Sequence, residues 1–394
     1  MERHYRHLGA FGDWVRKAHE QRTLRPPAPP GPGTRAKVLD TLGFCGGEET
    51  PMDPRVEDHW ERDGILGEEV SWSVGYGPRT RGWVLRPAGA SGPLPGVLAL
   101  HGHDGVKYFG KEKIADGPGE PEPVVAGLRE KMYSGRAFAN ELAREGFAVL
   151  AHDVFLWGSR RFPFEDMPET TQRLGASTRD VLAEAGDAPG EIPPKIALYD
   201  AAAHHHEHLV EKYCTLLDTT LAGVVAHEDR VAANYLLSRP DVAPRHVGCV
   251  GLSGGGCRSA LLQATCDYVA AAVVVGMMST HEALLDGRVE PHTWMFFPDG
   301  WARHGDWPDL AACRAPSPLL VQYDREDHLF PMGGMLAAHE RIADHYRGTG
   351  HPEAYTGQFY EGPHKFDLRM QGAAFAWLRE WLEAGPKRPV MGRR

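Results

Sequence analysis

Hydrophobic and polar positions change rhythm twice along the chain. Over residues 1–21, Leu8, Phe11, Trp14 and Val15 recur at helical spacing in an otherwise charged segment, which predicts a short amphipathic helix. "LRPPAPPGPG" at 24–33 can be neither helix nor central strand, because each proline fixes φ and removes a backbone donor, so it reads as a stiff linker. Residues 1–64 are therefore read as a helical arm and linker that packs on its own core or on a neighbour, and the arm is the reason to expect a homo-oligomer. From about residue 68 apolar and polar positions alternate: "EEVSWSV" and "TRGWVLRP" flank "GYGP", the pattern of an antiparallel hairpin.

Beyond that hairpin the apolar runs become continuous. "PGVLALHG" (95–102), "FAVLAHD" (147–153), "HVGCVGLS" (246–253), "AAAVVVG" (270–276), "SPLLVQYD" (317–324) and "TGQFYEG" (356–362) predict buried strands, while 134–146, 223–238, 255–265 and 332–346 carry helical periodicity. Such alternation means βαβ units and a mostly parallel sheet covered by helices on both faces. Two segments, 103–133 and 154–222, break the rhythm: they are polar, rich in Pro, Gly and Glu, and too long for simple connections. Both follow the C-terminal ends of predicted strands, where open α/β sheets bind ligands, so they are read as lid-like walls of a cleft. The catalytic domain is placed at 65–382, with a C-terminal tail at 383–394.

Composition narrows the partners. A hydrophobic fraction of 42% and a charged fraction of 24% are ordinary globular values, and the net charge of −10 offers no basic face for nucleic acid or an anionic membrane. No apolar run approaches the roughly 18 residues of a membrane span, and the charged N-terminus lacks the apolar stretch of a signal peptide, so a soluble cytoplasmic protein is expected. The six cysteines are scattered without a CxxC pair, which suggests reduced, mostly buried thiols rather than a zinc site or a disulfide framework.

Candidate chemistry centres on "VGLSGGGCRS" at 250–259. Gly251-x-Ser253-x-Gly255 fits a nucleophile elbow, a strained strand-to-helix turn that lifts the serine hydroxyl above a parallel sheet. A serine hydroxyl needs a base, an orienting acid and donors for the oxyanion. Each is available after a predicted strand: Asp324 and Asp327 in "DREDHLFP", His364 in "EGPHKFD", and the Gly-bearing turn of "LALHGHDG", whose His103 N–H could join that of Gly254 in an oxyanion hole. The order Ser, Asp, His differs from that of the trypsin and subtilisin types.

Taken together, "LHGHDG", "GFAVLAHDVFLWGSR", "RVAANYLLSRPDVAPRHVGCVGLSGGG", "PLLVQYDREDHLFP" and "YEGPHKFD" resemble the dienelactone hydrolase and acetyl xylan esterase-like branch of the α/β-hydrolase superfamily, over roughly residues 65–382. The resemblance implies the α/β-hydrolase fold, a Ser253–Asp327–His364 triad, no cofactor, and a small-molecule ester as substrate, most of all a small-acyl (acetyl) ester. It favours Asp327 over Asp324 as the acid through a Gly-x-x-Asp-x-x-x-Pro-like turn, although Asp324 stands here where that pattern has Gly. Peptidase or thioesterase activity on the same triad, and a non-catalytic hydrolase-fold scaffold, are the alternatives.

Four further groups carry competing readings. Trp157 and Arg160 open the stretch "WGSRRFPFEDMP", which should overhang the nucleophile; Arg160 or Arg161 could pair with a substrate carboxylate or could anchor the loop through an ion pair. Trp301, with Trp294, Phe296 and Phe297, could wall the cleft or simply pack. His204 and His208 stand i, i+4 on a predicted helix, a spacing that can bind zinc, and Glu207 is close, yet the HExxH order is absent and no metal is assigned. Cys257 and His101 are read as packing and loop-bonding residues.

Overall fold

The computed structural model describes residues 5–44, 47–184 and 192–383. A nine-stranded sheet in the order β1-β2-β3-β5-β4-β6-β7-β8-β9 forms the centre. Its strands are β1 Met52–Arg62, β2 Ile65–Ser73, β3 Thr80–Pro87, β4 Leu94–Leu100, β5 Ala148–His152, β6 Val242–Leu252, β7 Val269–Val275, β8 Leu319–Asp324 and β9 Tyr355–Tyr360. The pairs β1–β2, β2–β3 and β3–β5 are antiparallel, and every pair from β5 through β4 to β9 is parallel. All six apolar runs become parallel strands, and the predicted hairpin is β2–β3.

Successive side chains on these strands serve opposite layers, which is why the runs are apolar without interruption. Val97 and Ala99 of β4 pack with Phe138 and Leu142 of α4 (Phe138–Arg144) and with Leu378 of the C-terminal helix, whereas Leu98 and Leu100 join the opposite layer with Val225 and Leu261.

Before α4 come α1 (Asp13–Gln21), α2 (Pro32–Leu42) and α3 (Pro123–Tyr133). After it, α5 (Glu169–Glu184) and α6 (Pro194–Leu216) form a helical pair within the second long insertion. Then α7 (Leu221–Leu237), α8 (Gly254–Thr265), α9 (His281–Leu284), α10 (Trp307–Ala312), α11 (Met332–Gly348) and α12 (Leu368–Glu383) complete the chain. Helix α7 is buried along nearly its whole length, acidic residues included, and Glu228 and Asp229 are each neutralised by a buried arginine. Among the described residues no helix is long and apolar enough to cross a membrane.

Two features differ from expectation, and the cysteines agree with it. Residues 52–62, placed in the arm, form edge strand β1, whose residues are mostly exposed and largely charged, so neither a continuous nor an alternating apolar pattern marks it. Within the predicted helix of residues 1–21, Val15 of α1 is buried while Phe11 and Trp14 are 74% and 65% exposed, so the helical stripe is only partly packed on this chain; α2 buries Val38 and Leu42 in the core. The five described cysteines are buried and free, and Cys45 lies outside the described residues.

Candidate active site

The C-terminal ends of the parallel strands deliver the candidate residues to one place: β4 ends at Leu100 and leads into His101–Val106, β6 into Ser253, β8 into Asp327, and β9 into His364. Ser253 holds φ 58° and ψ −123°, a conformation costly for a residue with a Cβ and the mark of an elbow turn. The surrounding glycines have a steric reason. A Cβ on Gly255 would lie 2.1 Å from the Leu100 carbonyl oxygen, and one on Gly251 would lie 2.5–2.6 Å from Gly255 and Leu100 backbone atoms. The turn is therefore compressed between β4 and the start of α8, and only hydrogen fits there.

His364 donates from Nδ1 to Asp327 Oδ2 at 2.6 Å, and the other Asp327 oxygen accepts the Leu329 N–H at 2.8 Å. That arrangement leaves Nε2 as the acceptor nitrogen; it is buried and has no hydrogen-bond partner among the described residues. Burial opposes the imidazolium, but the hydrogen bond and charge of Asp327 outweigh it and hold the His364 pKa above its usual value. Asp324 is buried too, yet its Oδ2 accepts the Lys365 N–H at 3.0 Å, so it ties down the loop that carries His364. Burial pushes the Asp324 carboxyl up to about 7.

The His103 backbone nitrogen abuts the elbow: a Cβ on Gly254 would come within 2.6 Å of it. The His103 N–H has no acceptor among the described residues. Gly254, as the first residue of α8, has no carbonyl one turn back within the helix to accept its own N–H. Ser253, Gly254, His103 and His364 share a cleft of ≈ 560 Å³ whose other walls include Leu128, Lys131 and Met132 of the first insertion and His292, Thr293 and His328 from the loops after β7 and β8.

The second insertion lies behind that cleft rather than along it. Glu207 of α6, 4% exposed, bonds His103 Nε2 at 3.0 Å and accepts from Lys107 Nζ, from Thr293 Oγ1 at 2.7 Å and from the Trp294 N–H at 2.9 Å. Burial opposes its charge, but Lys107 and His103 outweigh it and hold the carboxyl well below the usual range. Sequence reading noted Glu207 only as a neighbour of His204 and His208 and did not find this role, because its four partners lie 86 to 104 positions away.

Three proposed substrate contacts are corrected. Arg160 is 2% exposed and pairs with Glu228, donating also to the Tyr76 carbonyl at 3.0 Å; it anchors the loop after β5 instead of meeting a ligand. Arg161 stacks its guanidinium 4.3 Å over the Tyr108 ring. Trp157, 1% exposed, supports His103 from behind through an edge contact at 5.5 Å and carries the Lys107 ammonium over its ring. Trp301 is equally buried, with Nε1 donating to the Asp306 carbonyl, and lines a separate cavity with Arg25, Lys212 and Phe297. His204 and His208 pack ring to ring at 5.7 Å, and His208 Nδ1 accepts from Trp294 Nε1. Among the described residues the acidic and histidine side chains close enough to share a metal ion are Asp324, Asp327 and His364, two members of the proposed triad and their neighbour.

A mostly parallel sheet, a strained serine turn between a central strand and a helix, and an acid and a histidine on the loops of later strands define an α/β-hydrolase fold. No protein-family model matches the chain. It is 22% identical over 323 residues to the protein named Putative hydrolase YtaP of Bacillus subtilis (strain 168), a match spanning 82% of this chain and 90% of that one. Solved structures with the same fold include Methylesterase BT1017, at 18% identity and TM-score 0.57, covering 89% of this chain and 63% of that one. Glucuronoyl Esterase from Solibacter usitatus matches at 14% identity and TM-score 0.56, covering 88% and 91% of the two chains. Acetyl Xylan Esterase 1 from Thermoanaerobacterium sp. JW/SL YS485 matches at 14% identity and TM-score 0.51, covering 93% and 98%. At these identities the likeness is one of fold.

Proposed function

We propose that the protein is a serine hydrolase of carboxylic esters with small acyl groups. The observation that carries this reading is the His364–Asp327 hydrogen bond of 2.6 Å beside the elbow serine in one cleft. In this reading His364 Nε2 takes the proton of Ser253 Oγ as the oxygen attacks the ester carbonyl. The His103 and Gly254 N–H groups receive the oxyanion, a contribution of about 2.7–4 kcal/mol per donor in comparable sites. The C–O bond to the alcohol then breaks, His364 returns the proton to the leaving oxygen, and an acyl-Ser253 ester remains. Water, deprotonated by the same nitrogen, attacks that ester, releasing the carboxylic acid and restoring the serine.

Three esterases among the fold neighbours support ester substrates, and the neighbour named Acetyl Xylan Esterase 1 supports a small acyl group. The test is fluorophosphonate labelling by intact mass, wild type against Ser253→Ala, together with turnover of p-nitrophenyl esters of increasing acyl length. Single labelling lost in the variant and fastest turnover on acetate is the expected result. Turnover that peaks on long acyl chains would discard the small-acyl preference, and no labelling of either protein would move the non-catalytic scaffold reading to the front.

A further inference from the structure

The loop from Gly102 to Val106 meets only part of its own need for donors: the Val106 N–H bonds the His103 carbonyl at 3.1 Å, and His101 Nδ1 lies 3.1 Å from the Gly102 carbonyl. The loop carries inward-facing carbonyls at Gly102, His103 and Val106, and Asp104 sits at φ 56° with a side chain only 1% exposed and neither carboxylate oxygen hydrogen-bonded. Acceptors buried in that number need a donor from elsewhere. Lys113, 0% exposed, supplies it: Nζ donates to the Gly102 carbonyl, to that of Val106 at 3.0 Å and to that of His103 at 3.3 Å, and lies 3.1 Å from Asp104 Oδ2. Its own segment is fixed in turn. Asp153 at the end of β5 accepts the Lys111 N–H at 2.9 Å, and Arg129 of α3 donates to the Glu112, Lys113 and Ala115 carbonyls.

The Gly102 carbonyl and the His103 N–H belong to one peptide unit, in which a trans bond points them in opposite directions. A cation holding the carbonyl on one side therefore turns the N–H to the other, the side on which Gly254 lies. We propose that Lys113 is a positioning residue for the oxyanion hole, clamping the Gly102–His103 peptide so that its N–H faces the carbonyl attacked by Ser253. The ammonium also polarises that peptide unit, which strengthens the N–H as a donor. Burial lowers the Lys113 pKa, and the Asp104 carboxylate beside it opposes that shift. The assignment rests on the ester hydrolase reading above, and its test is arranged to fail separately.

Two measurements decide it, with wild-type turnover of p-nitrophenyl acetate and its loss in Ser253→Ala as the entry condition; absence of that turnover would count against the hydrolase reading rather than against Lys113. In wild-type protein carrying ¹³C-carbonyl glycine and ¹⁵N-histidine, a selective spectrum contains two Gly-His pairs, Gly102–His103 and Gly350–His351. A phenylboronic acid bound on Ser253 should move the His103 amide proton downfield and leave that of His351 in place; an unmoved His103 signal overturns the proposal. In Lys113→Met, kcat per titrated active site should fall about tenfold to hundredfold with KM changed less than about threefold, a little short of removing a donor outright. Boronate affinity should fall by the same factor as kcat. Unchanged kcat per site and boronate affinity, with only a lower melting temperature, would make Lys113 merely structural and overturn the assignment. Should Lys113→Met not fold, the wild-type spectrum decides.

Discussion

Replacing Gly254 by alanine is the smallest change that should disable the site. In most helices the substitution is favourable, by up to about 1 kcal/mol. Here the added methyl would sit 2.6 Å from the His103 nitrogen and 3.2 Å from its Cβ, where ordinary contact begins at 3.4 Å. The loop must retreat by about 0.8 Å, and a donor displaced that far from a 2.9 Å hydrogen bond passes beyond the range in which such bonds form. One of two oxyanion donors is then lost, which predicts a fall in kcat of about 10²–10³, or about 2.7–4 kcal/mol, with a small effect on KM.

The assay is p-nitrophenyl acetate turnover per titrated active site, with thermal melting followed by circular dichroism. Gly372→Ala on the exposed face of α12 is the matched control: a Cβ there meets nothing within 4 Å, so activity should hold while stability holds or rises by up to about 1 kcal/mol. A folded Gly254→Ala protein with kcat within about twofold of wild type would refute the placement of the oxyanion at His103 and Gly254.

Three further outcomes are expected. Because Asp327 holds the His364 pKa above its usual value and the base must be neutral, kcat/KM should rise with pH through that raised pKa. Asp327→Asn should move the rise to lower pH and cut kcat by about 10⁴, as seen in a pH–rate profile of both proteins. Asp324, raised to about 7 by burial, is protonated more readily in the folded chain than in the unfolded one, so it contributes stability below about pH 4 that is lost as pH climbs toward 7. Urea unfolding of Asp324→Asn should show a smaller stability difference between pH 4 and pH 8 than wild type; an equal difference would argue against the shift. Arg160→Met leaves Glu228 buried without its cation and should cost about 3–5 kcal/mol, whereas Arg160→Met with Glu228→Gln should recover part of that; strictly additive losses would deny the pairing.

What could be read from sequence follows from which forces are local. Strands β4 to β8 announce themselves because both faces of each are largely buried, so an apolar run is the direct imprint of the fold, whereas edge strand β9 is only half-buried along its middle. The elbow is legible because its glycines answer a backbone crowding that no other residue tolerates. Asp327 could be separated from Asp324 only through a family resemblance, since Asp324 ends β8, Asp327 follows three residues later, and both lie near His364. Arg160, Trp157 and Trp301 were misplaced for a common reason: a strand-end position predicts nearness to the cleft but not whether the side chain turns inward to Glu228, to the back of His103 or to the Asp306 carbonyl. Lys113 and Glu207 carry no local signal, because a buried ion becomes sensible only when the carbonyls or cations that surround it are known.

Edge strand β1 determines how the sheet ends. Asp53, Arg55, Glu57, Asp58, His59 and Glu61 crowd its eleven residues, Pro54 lacks a donor, and two register shifts bend it against β2. A strand so charged and irregular is a poor template for another chain. The next strand is different: Ile65, Val70 and Trp72 of β2 are at most 1% exposed, and β1 satisfies one side of its backbone. Deleting residues 52–62 would bare the backbone edge of β2 that β1 now pairs, while leaving Ser253, Asp327 and His364 in place. The shortened protein should therefore fail first by precipitation, so β1 acts as the colloidal guard of the sheet.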